Sequence, residues 1–431
     1  MIHVLVVGLP LAIGLALALL AARRDWAPRL AVTLGVGVLL RVFVVVIAVR
    51  DGVWQPQDLG VDFLDAAKSV LHGQDPVNHL QRVGGWHFLP FMAYLLAAER
   101  KVDLWLGLGW GAAARLAPVI ADIALIPLVG RLAAPGAEGA RGSRGAAATA
   151  AARRRALCGF QYACMPLAVM VSSIHGQFVP ITLLFGVAAV LAARGHRAHL
   201  AGMLAGLSVT STSWSILLVP GIMLLLPGAR RRLTVLAWTV VMPAAFLLSS
   251  WLVLDTPFGK LPATAKAVMS TRPVIGDWGW TTIVTHGKPA ESAMYGHIGT
   301  LVLIIALLAA GWWWRRAEPI TLTIALLLVF IVATYRFGAQ YLLWPVPFLI
   351  ARPTRGAWVA ITAASVWAAT GYLYLTRLSQ GGWWHAHIWW AFGSFAVIAL
   401  LIRALPWDRR SGRPAAAPTE SPHSVVGAAS P

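Results

Sequence analysis

Long apolar runs, separated by short polar segments, recur from one end of the chain to the other. They cover roughly 2–22, 30–49, 113–133, 155–173, 176–194, 199–227, 233–253, 299–314, 319–334, 338–352, 357–376 and 388–404. A helix needs about 20 apolar residues to cross a bilayer. The run 199–227 has basic loops at both ends, so it must enter and leave on one side. Its polar middle, Ser208 to Ser215, marks the turn of a hairpin. The run 87–98 is too short to span and is expected to lie as an interfacial helix. The pattern therefore predicts an all-α polytopic membrane protein with 13 transmembrane helices.

Composition agrees. Of 431 residues, 58% are hydrophobic and 12% charged, against about 25% charged in soluble domains. Mean hydropathy is +0.72. A soluble enzyme is excluded. The net charge of +19 would suit nucleic acid, but the basic residues sit in short loops between apolar runs, which excludes that partner. Twenty-one tryptophans fit membrane–water interfaces. The two cysteines, Cys158 and Cys164, fall in one apolar run and most simply serve packing; they form no disulfide framework or zinc spacing. The first residues lack a basic leader and a small-residue cleavage site, so they read as a first spanning helix.

Charge sets the expected orientation. Arginines favour the cytoplasmic side of short loops. Arg23, Arg24 and Arg29 then lie inside, with the N-terminus outside and the C-terminus cytoplasmic in the cell membrane. On this reading 22 of 30 arginines fall inside, while all five lysines and ten of 16 acids fall outside. The transmembrane domain spans 1–407, with long outer loops at 51–112 and 254–298 carrying interfacial helices. Loops of that length are usually functional. Residues 134–152 read as a flexible cytoplasmic linker, and 408–431, rich in Pro, Ala and Ser, as a disordered cytoplasmic tail.

The stretch DLGVDFLDAAKSVLHGQDPV, residues 58–77, places Asp58, Asp62 and Asp65 at helical spacing on one expected face. A carboxylate at a membrane surface can accept a proton from a sugar hydroxyl. A solvated acidic face balanced by Lys68 explains the same spacing. His175 and Gln177 end a helix at the outer face, either binding sugar or phosphate or capping backbone groups. Arg41 and Asp122 lie inside spanning runs, where pairing is the default. The expected pairs are Arg41–Asp122 or Arg115–Asp122. WWHAHIWW (Trp383 to Trp390) reads as an interfacial aromatic belt, since His385 and His387 alone are too few for a metal site. Asp277 to Trp280 offer tryptophan faces that could stack on sugar or anchor at the interface.

These segments together resemble the polyprenyl-phosphate-sugar-dependent glycosyltransferases of the integral-membrane C superfamily, most closely the actinobacterial mannosyltransferase group. DLGVDFLDAAKSVLHGQDPV resembles their first outer-loop signature, with Asp58 at the presumed catalytic base and Gly73 and Pro76 also matching. Asp62 stands at one aromatic position and Val77 at the usual tyrosine. HFLPF (His87 to Phe91) stands where a Tyr-Pro-Pro-Leu segment is usual. RLAPVIAD (Arg115 to Asp122), SSIHGQFVPI (Ser172 to Ile181) and RFGAQYLLWPVPFLI (Arg336 to Ile350) follow in the family's order, over roughly 30–375. GLSVTSTSWSILLVP carries Thr212 where the family has a lysine suited to the donor phosphate.

The resemblance implies a polyprenyl-phosphate-sugar donor, with mannose as the family's commonest sugar and arabinose as the alternative, and a glycan or glycolipid acceptor. It implies Asp58 as catalytic base; together with the residue readings above, the candidate substrate contacts are Asp62, Asp65, His175, Gln177, Arg336, Gln340 and Tyr341. Arg336 is the favoured substitute for the missing lysine, ahead of Lys260, Lys266, Arg272 and Lys288. The donor lipid is a substrate and no cofactor is expected beside it; no metal-binding residues are singled out, and a divalent metal is left open. A catalytically inactive relative that binds polyprenyl lipid or glycan, and a lipid-linked sugar transporter, are the competing expectations.

Overall fold

The computed structural model describes residues 2–52, 56, 58–80, 86–134, 146–269 and 274–408. The expected tail after Asp408, most of the linker and Arg272 lie outside these residues. Among the described residues the chain is helical almost throughout. One two-residue antiparallel pair, Val274–Ile275 with Ala290–Glu291, is the exception. The protein is an all-α polytopic membrane fold.

Among the described residues, seven helices are long and apolar enough to cross a membrane: Val4–Arg24, Leu30–Asp51, Trp110–Ala133, Ala229–Leu252, Ala293–Trp313, Ala357–Arg377 and Gln380–Arg403. An eighth results if Ala148–Ala163 and Pro166–His175, bent by 50°, form one span. The count of 13 drawn from the apolar runs is not reached by this measure. Val179–Arg194, Ser213–Leu224, Pro319–Ala333 and Ala339–Ala351 are apolar but shorter. The reason is local: the chain leaves α geometry at Met170–His175, Thr212 and Thr334–Gly338, which shortens the helices on either side.

The hairpin in 199–227 is present. Helix Ala198–Ser211 ends at Thr212, whose backbone is extended. Gly202 lies against Val235 and Trp238, and Gly206 against Trp238 and Met242. Ala198–Ser211 therefore runs parallel to Ala229–Leu252, and the chain between them must double back. Arg197 and Arg230 accordingly line one shallow cavity. The close approach needs glycine: a Cβ at Gly206 would sit 2.5 Å from the Trp238 carbonyl oxygen.

The two ends of the bundle differ in charge. Helix Val179–Arg194 begins beside Gln177 and ends at Arg194, which donates to the Leu132 carbonyl at 2.7 Å. Around the Arg194 end gather Arg153, paired with Asp25, and Arg154, Arg352, Arg355 and Arg403. Midway, Arg41 and Asp122 form a fully buried ion pair at 2.8 Å. The Tyr162 hydroxyl donates to Asp122 at 2.7 Å and the Ser172 hydroxyl at 2.9 Å. Arg115 takes no part in this pair; it donates to the Ile174 carbonyl instead.

The two long loops fold over the opposite end and are tied together. The Asp75 amide donates to Asp255 at 2.8 Å, His79 lies 2.7 Å from the same carboxylate, and Asn78 donates to Thr256. The first loop carries helices Phe63–Leu71 and Pro90–Leu106. The second of these contains the expected interfacial segment. Its Glu99 is buried and accepts the Ala117 amide at 2.8 Å. Burial pushes this carboxyl up to about 8, the Ala117 bond opposing only in part. The unfolded carboxyl titrates lower, so its contribution to stability is full below 4.5 and is lost as pH rises through about 8. Glu99→Gln should flatten that decline, raising stability by about 1–3 kcal/mol on the alkaline side. Thermal melts of the purified protein across this range check it.

Candidate functional site

Asp58 opens a π-helical turn, Asp58–Asp62, at the start of the first long loop. Its carboxylate is not turned to bulk water. His175 Nε2 lies 2.9 Å from Oδ2, and the Gln177 amide nitrogen donates to the same oxygen. The Leu59 amide donates to Oδ1 at 2.9 Å. Burial pushes the Asp58 carboxyl up, but the charge and hydrogen bond of His175, with the Leu59 and Gln177 bonds, outweigh it. The carboxyl is held below the ordinary aspartate value and stays ionised.

The sequence HGQ makes this arrangement possible. Gly176 caps the turn Met170–His175 in the left-handed region, at φ 70°. A Cβ there would lie 2.5 Å from Leu59 and 3.1 Å from Arg115. Glycine lets both flanking side chains converge on one carboxylate. Arg115, buried beneath, fixes the carbonyl of Ile174 through Nη2 at 2.6 Å.

Behind His175 stands Tyr372. Its hydroxyl lies 2.8 Å from Nδ1. The imidazole donates Nε2–H to Asp58 and its Nδ1 is hydrogen-bonded to the Tyr372 hydroxyl, so the three groups form one chain. Each sits in or at the end of a π-helical stretch: Asp58–Asp62, Met170–His175 and Thr370–Tyr374. These are the three such stretches among the described residues, and wide turns of this kind are frequent at functional sites.

Asp58 and Gln177 open on a cavity of about 360 Å³. Asp62, Arg336, Gln340 and Tyr341 line it too, with His87, Phe88 and the polar backbone turn from Thr210 to Ser213. Thr212, the position of the missing lysine, is on its wall, 2.9 Å from the Thr182 hydroxyl. Of the other candidate cations, Arg336 is the one that lines this cavity among the described residues. Trp214 stacks on Trp344 at 3.8 Å and stiffens the same wall.

A second cavity of about 490 Å³ lies across His175 and Gln340, which line it with Tyr372, Asp277, Trp383 and Trp390. His387 is 3% exposed, stacks on Trp383 and lies 3.2 Å from Asp277. The WWHAHIWW segment is thus in part a cavity wall, where an aromatic belt alone was expected.

Asp65 is not brought to the cavity with Asp58 and Asp62. It lies 3.9 Å from Lys68 instead. The i, i+4, i+7 spacing assumed α geometry, but the π-turn over Asp58–Asp62 changes the angular step before helix Phe63–Leu71 begins. The balanced acidic surface is the reading that fits Asp65. Tyr372 was missed because it lies inside an apolar run; a phenol in a spanning segment, which must find a polar partner, was the available signal. No group of three or more His, Cys, Asp or Glu side chains arranged to hold a metal occurs among the described residues.

A scan of the sequence against protein-family models finds no match, and a search of curated proteins finds none either.

Proposed function

We propose that the chain is a membrane glycosyltransferase. It would move a sugar, mannose in the first instance, from a polyprenyl-phosphate donor to a glycan or lipid acceptor on the outer face of the cell membrane. One observation carries the reading: an ionised, tightly held carboxylate and an arginine face one cavity at the loop-covered end of an apolar helical bundle. The resemblance of residues 58–77, 172–181 and 336–350 to the polyprenyl-dependent enzymes supports it.

In this mechanism the donor phosphate sits toward Arg336, whose guanidinium matches phosphate geometry. The acceptor hydroxyl approaches Asp58, and the second cavity, with its carboxylate and tryptophan faces, suits a sugar chain. Asp58 takes the hydroxyl proton as the oxygen attacks the anomeric carbon. The bond from that carbon to the phosphate oxygen breaks, and polyprenyl phosphate leaves with the electron pair. One displacement inverts the anomeric centre. His175 and Gln177 keep the carboxylate aimed, and Tyr372 holds the His175 ring.

The arginine-rich end would face the cytoplasm, and the loops the outside. Proteoliposomes given radiolabelled polyprenyl-phosphate mannose and a mannoside acceptor should release polyprenyl phosphate and label the acceptor. Arg336→Gln should weaken donor use about tenfold or more, chiefly in KM. Thr212 in place of a lysine favours a second reading, a relative that binds the lipid without transfer. Donor binding with no turnover would select it, and absence of binding would remove both.

A further inference from the structure

We propose that the arginine-rich end of the bundle carries a binding site for a phosphate group, separate from the candidate site and independent of the proposed activity. A cavity of about 740 Å³ opens there. Four arginines from three parts of the chain line it: Arg154, Arg352, Arg355 and Arg403. Topological arginines need only stand on the correct side of the membrane, and Arg23 and Arg24 do so on the open surface. Converging four of them on one concavity costs repulsion, which a bound anion relieves.

Among the described residues, the acids lining the cavity do not balance them. Glu318 and Asp408 line the cavity against four positive charges. Glu318 also caps its own helix, accepting the Thr321 amide at 3.1 Å. Arg352 is the sharpest indication, because its Nε is buried and has no hydrogen-bond partner among the described residues. A buried guanidinium nitrogen left without an acceptor is costly. The frame is built and not splayed. The Thr354 hydroxyl donates to the Ala404 carbonyl at 2.6 Å, fixing the loop that carries Arg352 and Arg355 against the end of the last helix. Gly356, at φ 88°, leaves room for the Arg403 stem, which passes 3.3 Å from where a Cβ would stand. Apolar Ile324, Leu405 and Trp407 complete the lining.

Guanidinium groups bind phosphate oxygens in pairs, and basic pockets between spanning helices hold anionic headgroups. The shared chemistry is a phosphate monoester or diester, from a membrane lipid or from a soluble phosphate. The full-length protein in detergent would be titrated with phosphatidylglycerol and with phosphatidylcholine and read by native mass spectrometry. In parallel it would be titrated with inorganic pyrophosphate and read by thermal shift. Retention of phosphatidylglycerol alone assigns the lipid source, and a pyrophosphate shift alone the soluble one; either supports the site.

The Arg355→Gln, Arg403→Gln double variant, at two exposed positions, should weaken the productive ligand about tenfold or more. Arg24→Gln, at the same end outside the cavity, should not. If the double variant fails to purify as a single species, each single variant should weaken binding about threefold. The site is overturned if neither ligand binds above phosphatidylcholine, or if the cavity variants behave like Arg24→Gln.

Discussion

Asp58→Asn should lower sugar transfer by about 10²–10⁴ while the protein still inserts and still binds donor lipid. Asparagine is nearly isosteric, but it cannot take a proton from the acceptor hydroxyl. It also returns an amide where Gln177 already donates. Turnover and donor binding, measured in one proteoliposome preparation, separate chemistry from folding. Transfer near the wild-type rate would remove Asp58 from the mechanism. The pH profile gives a second check. The Asp58 carboxyl is held below its ordinary value of 3.8. Transfer should therefore show no acid loss from this group until pH drops beneath that range. The same sign applies to stability: the pairing contributes above the unfolded value and is lost as pH falls through the lower folded one. His175→Ala should cost less in rate and shift that acid limb upward, because burial would then act with less opposition.

The second large effect lies far from the cavity. Asp122→Ala should destabilise the protein by about 3–5 kcal/mol, because it strands the fully buried Arg41 guanidinium. The Tyr162 and Ser172 hydroxyls would lose their acceptor as well. Replacing both partners, Arg41→Met with Asp122→Leu, should recover most of that loss, since no uncompensated charge then remains. Thermal melts followed by size exclusion in detergent would rank the three proteins. A double variant no better than Asp122→Ala would show that the network orders the helices and does more than neutralise a charge.

Much of the fold was legible because the bilayer makes sequence rules strict. Apolar runs had to become helices, and the doubly basic-flanked run 199–227 had to turn back, as the parallel packing of Gly202 and Gly206 on Trp238 requires. An arginine and an aspartate at membrane depth had to find partners, and Arg41 and Asp122 found each other. Asp58, His175 and Gln177 were separately visible as candidates; that they meet at hydrogen-bond distance is tertiary and was not. Hydropathy treats a span as uniform, so it does not show which apolar runs become short helices that stop beside the cavity, and the count of 13 is not confirmed. Periodicity treats every turn as α, so it grouped Asp65 with two carboxylates that line the cavity without it. Tyr372 and the Trp383–His387 wall were hidden by residue types that also serve as membrane anchors.

The wide turns at Asp58–Asp62, Met170–His175 and Thr370–Tyr374 make the site sensitive to chain length. Each closes its hydrogen-bonded ring around one more residue than an α-turn does. Losing a single residue from one of them would let the turn tighten to α geometry and re-aim the side chains within it. Hydropathy, charge balance and every named side chain would survive such a deletion, yet the Tyr372–His175–Asp58 chain would come apart. Working and silent versions of this protein could therefore differ by a gap instead of a substitution, and scanning single-residue deletions through these three turns would find sensitivity that alanine scanning passes over.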